Sequence, residues 1–319
     1  MSRVSRLRLV FAMLLLGGVL PVSAAGAPEA SRAQPTRIAV IYPHVREPFR
    51  SVFRAIADGA VAENPGSTEV FEVDTEDSAQ AISARLQGSQ ASAAILLGKY
   101  GLTLSRSIDP RLNRVVGAVF AAPDELPDGV YATSLAPSPG SLFGKLRELA
   151  PAVQHISVIY GADSNDWLIE LAQTEVAASG HTLTPIQKEN IRDGASAYRA
   201  LLEQLEPPLD ALWLPQASPF LDEKSVLQMI LRAAWDRNIV VFSSNPSHVP
   251  KGALFALFPD NTEMGRHLAR LAADSAPRSG PRVEALEQLN TAINIRTADH
   301  LGLGLNAADA RFDMVFPSR

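Results

Sequence analysis

Ile38-Ala39-Val40-Ile41-Tyr42-Pro43, followed by Phe49, Val52, Phe53, Ile56, Ala57 and Ala60, is the stretch that decides the fold. The first five residues are a compact apolar run closed by a proline, the pattern of a strand buried on both faces in a parallel sheet. The next six fall at i, i+3, i+4, i+7, i+8 and i+11, one apolar stripe of a helix. Pro48 stands just ahead of that stripe, where a helix tolerates it. The unit is therefore strand, loop, helix.

The same alternation runs outward. Strands are predicted at 70–73, 93–97 and 115–120, with helices at 78–86 and just after Tyr100. A connection carrying Pro123, Pro127, Pro137 and Pro139 leads to a helix at 140–149. Ile156-Ser157-Val158-Ile159-Tyr160 then restarts the series, with helices at 165–178, 195–205 and 221–235 and strands at 182–186, 211–214, 239–242 and 253–258. Repeated strand and helix units predict parallel sheets covered on both faces, with right-handed crossovers. Two such series joined by proline-bearing connectors predict an α/β protein of two doubly wound parallel-sheet lobes joined by a hinge.

The N-terminus reads as an export signal. Arg3, Arg6 and Arg8 precede an apolar run from Leu9 to Leu20, and Val22-Ser23-Ala24 supplies small residues for cleavage after Ala24 or Ala25. The run is shorter than the roughly 20 residues a membrane-spanning helix needs. No membrane insertion is expected after cleavage. The chain has no cysteine, which excludes a lipoprotein anchor, disulfides and thiolate metal sites. The expected organisation is a signal peptide over 1–24 and an unpatterned lead-in over 25–36. An N-terminal lobe over 37–132, completed by a helix near 261–274, precedes a C-terminal lobe over 133–259. A segment over 275–319 is expected to pack across the hinge. A net charge of −5 argues against nucleic acid as a partner.

Three further segments carry a resemblance. Lys145 to Tyr160, Lys251-Gly252-Ala253-Leu254 with Gly265-Arg266, and Asn294-Ile295-Arg296-Thr297-Ala298-Asp299-His300-Leu301-Gly302-Leu303 occur in that order. They resemble the ABC-transporter substrate-binding proteins of the tryptophan- and tyrosine-binding branch, which have the type I periplasmic-binding fold. The resemblance implies a monomeric periplasmic protein that closes over a small-molecule solute and delivers it to an ABC permease. It implies no enzyme activity and no cofactor. Departures from the family pattern fall in the loops that would hold the ligand: Gly98-Lys99-Tyr100-Gly101, Gly161 to Trp167, Pro215 to Ser218 and Ser243 to Asn245.

Ligands of open α/β sheets bind at the carboxyl ends of the strands, which sets the candidate ligand-binding residues. Arg46 precedes the first helix, and Lys99 and Tyr100 offer a cation and a ring. Asp163, Ser164 and Asn165 stand at a helix start, where a side-chain oxygen caps the helix or free N–H groups attract a carboxylate. Gln216, Ser218, Ser244 and Asn245 supply uncharged hydrogen bonds suited to a neutral or zwitterionic solute, such as an amino acid. Asp260 could meet a ligand amine or only favour the next helix, and Glu47 reads as a helix N-terminal charge. Trp213 and Trp235 read as core, whereas Trp167 stays open as a stacking platform.

Enzymatic motifs are incomplete. Gly140 to Lys145 is one residue short of a P-loop and is followed by Leu146 where Ser or Thr should stand. Gly302-Leu303-Gly304 only begins a dinucleotide fingerprint. Glu263 and His267 share a helix face but are too few to hold a metal. A hydrolase would lack an assembled nucleophile and base. The competing non-enzymatic reading is an orphan periplasmic receptor or assembly factor that contacts a sensor or outer-membrane transporter without transport.

Overall fold

The computed structural model describes residues 36–216, 218–274 and 282–317, apart from the side chains of 162–165. The expected leader and nearly all of the lead-in lie outside the described residues.

The chain forms β1 (Ile38–Pro43), α1 (Phe49–Glu63), β2 (Thr68–Val73), α2 (Ala79–Gly88), β3 (Ala93–Leu97), α3 (Gly98–Leu104), β4 (Asn113–Val119) and β5 (Val130–Pro137). It continues through α4 (Pro139–Leu149), β6 (His155–Tyr160), α5 (Ala162–Glu175), β7 (Thr182–Gln187), α6 (Ile191–Gln204), β8 (Asp210–Leu214), α7 (Val226–Arg237), β9 (Val240–Ser243) and β10 (Phe255–Pro259). α8 (Asn261–Ala273), β11 (Val283–Leu286), β12 (Leu289–Asn294), α9 (Ile295–His300) and β13 (Met314–Phe316) complete it.

Two sheets result. The first runs β2-β1-β3-β4-β5-β11, and all its strands are parallel. The second runs β7-β6-β8-β9-β10-β12-β13. It is parallel from β7 to β10, but β12 lies antiparallel to β10 and breaks the all-parallel expectation. That strand enters its sheet directly from β11 of the other sheet, with no helical crossover to turn it around. In each lobe the strand order reverses beside the first strand, between β1 and β3 and between β6 and β8. Such switch points open a crevice at the strands' carboxyl ends.

Why the opening stretch is apolar without a break is now visible. Ile38, Val40 and Tyr42 pack toward α1 and α8, while Ala39 and Ile41 pack toward α2 and α3. Successive strand residues face opposite sides, so burial on both faces demands an unbroken run. The second lobe repeats the arrangement: Ile156 and Val158 join the core under α4 and α5, and Ile159 joins the core under α6 and α7.

Three crossings join the sheets among the described residues: β5 into α4, β10 into α8, and β11 into β12. β5 occupies the proline-bearing segment read from sequence as a connection, so the expected lobe division at 132/133 falls inside a strand of the first sheet. The crossings are tied together. Ser138 N donates to Leu286 O at 2.8 Å, and Asp260 N donates to Gln288 O at 2.9 Å. Because β5 and β10 both end at the hinge, the carboxyl ends of the two sheets are turned toward each other.

The motif residues of the resemblance serve this scaffold. The Asn294 side chain accepts from Thr297 N at 3.1 Å, capping α9, and donates to Val249 O at 2.7 Å. Thr297 Oγ1 donates to Gly252 O at 3.1 Å. Gly252 has φ +130°, in the region that favours glycine. The C-terminal motif therefore grips the β9–β10 connection that the middle motif forms.

Candidate functional site

In the first lobe, Arg46 is exposed in the loop between β1 and α1, and its carbonyl accepts from Arg50 N. Glu47 accepts from both the N–H and the hydroxyl of Ser51, at 3.2 and 2.6 Å. Those bonds hold its carboxyl below the usual range, as suits a carboxylate at a helix start. Lys99 and Tyr100 lie inside the first turn of α3, not in a loop ahead of it. The chain enters that turn at Gly98 with φ +74°, where a Cβ would press on the Phe53 ring. Lys99 is exposed. Tyr100 packs on the first-lobe core, and burial raises its pKa; its buried hydroxyl oxygen has no hydrogen-bond partner among the described residues. Arg46, Lys99 and Tyr100 thus gather at the ends of the adjacent strands β1 and β3.

In the second lobe, the expected loop over 161–166 is already helix from Ala162. Gly161 is the N-cap, so the expected capping by Ser164 or Asn165 does not occur, and α5 begins without a side-chain cap. The side chains of Asp163, Ser164 and Asn165 lie outside the described residues. Gln216 is half-buried in the turn after β8. Ser218 Oγ accepts from Phe220 N at 3.4 Å within that turn. Ser244 is buried and accepts from Trp213 Nε1 at 3.1 Å, which places Trp213 in the core with its polar edge satisfied. Asn245 Oδ1 accepts from Ser247 N at 2.9 Å. Gln216, Ser218, Ser244 and Asn245 cluster at the ends of β8 and β9, and several already hold the turns that carry them. Asp260 is the N-cap of α8 and accepts from Glu263 N at 3.0 Å.

Trp235 departs from the core reading. It is half-exposed on α7, stacked on His300 with ring centroids 3.7 Å apart, with the Arg296 guanidinium 5.4 Å from its ring. It lines a groove of about 830 Å³ with Lys251, Arg232 and Phe316. That groove lies at the amino ends of β9 and β10, away from the facing strand ends.

A cavity of about 490 Å³ lies between the lobes at the hinge. Val283 and Glu284 line it from the first sheet, Pro123 from the connection between β4 and β5, and His267 from α8. Trp167, Glu170, Leu171 and Glu175 line it from α5, while Ser138 and Gln288 come from the crossings. Trp167 packs against the cores of both lobes. His267 does not pair with Glu263, which bonds to Arg266 at 3.1 Å; its partner is Glu284, which also accepts from Thr133 Oγ1 at 2.7 Å. Of these residues sequence reasoning singles out Trp167 and His267, and names Pro123 as part of a connecting segment. The rest are scattered along the chain and follow no motif, so no sequence signal joins them. Among the described residues no cluster of side chains is arranged to hold a metal.

No protein-family model matches the sequence, and no curated protein is significantly similar to it. Among solved structures, the ligand-free, open structure of a substrate-binding protein with adhesive properties from Clostridium difficile matches with a TM-score of 0.62 at 13% identity, covering 89% of this chain and 100% of that one. This chain has the type I periplasmic-binding fold. A conserved domain protein from Vibrio cholerae matches at 20% identity and a TM-score of 0.49, covering 88% of this chain and 100% of that one. An ABC domain in complex with L-Trp from Streptococcus pneumonia matches at 15% identity and a TM-score of 0.48, covering 87% and 99%. No helix among the described residues is long and apolar enough to cross a membrane.

Proposed function

We propose that the chain is an exported periplasmic solute-binding protein whose lobes close over a small solute and which presents the closed form to an ABC permease. The observation that carries this reading is the doubled strand order joined by three hydrogen-bonded crossings. Two rigid sheets connected only at one side are arranged to move about that side. Polar loops then meet a solute from both lobes. The uncapped start of α5 offers backbone N–H groups to a carboxylate. Gln216 and Asn245 add uncharged hydrogen bonds. An amino acid or similar zwitterion fits that set, as the resemblance to the tryptophan- and tyrosine-binding branch implies.

The test is native mass spectrometry of the purified protein, followed by thermal-shift screening of amino acids and short peptides and by X-ray scattering with any hit. The expected result is a bound small molecule and a reduced radius of gyration in its presence. A screen without hits and an unchanged scattering profile overturn the reading. Recovery of a sensor kinase or outer-membrane transporter instead of permease subunits in a pull-down overturns the transport assignment in favour of a receptor or assembly role.

A further inference from the structure

We propose that the hinge cavity is a second binding site, separate from the strand-end cleft, for an organic cation: an ammonium group attached to an apolar or aromatic body. The volume of about 490 Å³ suits a small ligand. Its walls divide into two chemistries. Trp167, Leu171, Val283 and Ala285 supply an apolar surface, with the indole held against both lobe cores. The charged lining is one-sided: Glu170, Glu175, Glu284 and Glu287 against His267, with no Lys or Arg among the described lining residues.

Two of the four carboxylates have structural work. Glu175 accepts from Gly140 N at 2.6 Å at the start of α4, and Glu284 binds His267 and Thr133. Glu170 and Glu287 are exposed at the cavity and are left to face a ligand. An independent observation points the same way. Gln288, also in the lining, has a buried side-chain oxygen with no hydrogen-bond partner among the described residues. A buried acceptor without a donor is unfavourable unless a ligand or water supplies one, and an ammonium brings three donors. An aromatic face beside carboxylates is the usual receptor for such a cation. A carboxylate-bearing ligand would meet four carboxylates here and a single imidazole already bonded to Glu284. An ammonium at this point would contact α5 of one lobe and the β11–β12 crossing together.

The experiment is isothermal titration calorimetry of the mature chain with three probes of similar size: phenethylamine, 2-phenylethanol and phenylacetate. Phenethylamine is expected to bind at least about tenfold more tightly than either of the others, and to weaken as salt is raised. The double variant Glu170→Gln/Glu287→Gln, both at exposed positions, is expected to lose about tenfold or more of that affinity. Trp167→Ala should lose it and Trp167→Phe retain most of it, with circular dichroism verifying the fold. Equal or tighter binding of phenylacetate or 2-phenylethanol, no binding of phenethylamine, or an unchanged affinity in the double carboxylate variant overturns the assignment. None of these results bears on solute binding at the strand-end cleft, which the scattering and thermal-shift experiment tests with other ligands.

Discussion

Gly265 of α8 lies so close to the carbonyl oxygen of Ile56 in α1 that no Cβ fits between them. Gly59 of α1 meets the Thr262 carbonyl of α8 in the same way. The two helices cross backbone to backbone over the first sheet. A methyl group at the crossing would push α8 off the core that Met264 and Leu268 fill. Gly265→Ala is expected to destabilise the protein by about 1–3 kcal/mol, the usual cost of overpacking. Urea denaturation measures it, and an unchanged midpoint would show that the helices can separate freely.

Ser244→Ala removes the acceptor for Trp213 Nε1, a group on a fully buried ring. An unsatisfied buried donor costs about 1–3 kcal/mol. The midpoint of unfolding should fall by the corresponding amount, with far-ultraviolet circular dichroism of the native state unchanged. A variant as stable as the parent would mean that water or another group reaches the indole.

His248 is buried, accepts or donates at Nδ1 with Ser243 Oγ at 2.8 Å, and has its pKa pushed down to about 4, chiefly by burial. In the unfolded chain the same imidazole titrates near its ordinary value of about 6.5. Between these values the unfolded state binds a proton that the native state does not, so stability falls as pH drops from about 6.5 toward 4. The loss attributable to this residue is at most about 3 kcal/mol. Denaturation at pH 7.5 and pH 5 should show it, and His248→Asn should flatten the difference. An equal slope in parent and variant would assign the acid sensitivity to other groups.

Asn294→Ala removes both the cap on α9 and the bond to the Val249 carbonyl. The loss of a cap costs about 1 kcal/mol, and the orphaned carbonyl adds to it. Thermal unfolding should begin at a lower temperature, with hydrogen exchange rising first in β12 and the connection between β9 and β10. Exchange that rises uniformly instead would argue against a local clamp.

Most of the fold was legible because both sheets are buried on two faces, and that burial writes itself as apolar runs such as Ile38 to Tyr42 and Ile156 to Tyr160. β5 was hidden because Val130-Tyr131-Ala132-Thr133-Ser134-Leu135-Ala136-Pro137 mixes small polar residues with apolar ones between prolines. Its Thr133 and Ser134 are buried where hydrogen bonds, not hydrophobicity, satisfy them. The start of α7 was misjudged because Asp222 accepts from Ser225 N at 2.8 Å, holding a turn where apolar spacing suggested helix. Gln216, Ser218, Ser244 and Asn245 follow the ends of β8 and β9 as the strand pattern predicts, whereas Lys99 and Tyr100 lie within α3 and the expected loop over 161–166 is helix from Ala162. The hinge cavity was not legible. Trp167, Glu284 and Gln288 meet only after three crossings have brought separate parts of the chain together.

Those crossings also dictate the order in which the molecule can be completed. The first sheet takes its last strand from residues 283–286, and its α8 cover arrives only after the second lobe's β10; the second sheet then receives β12 and β13 from the very end. Neither lobe can close its own core from a contiguous piece of chain. A chain emerging amino end first must hold two unfinished sheets until β11 to β13 appear, and long-range closure of this kind is slow. The stitching that joins the lobes therefore also makes the completion of each core a long-range event.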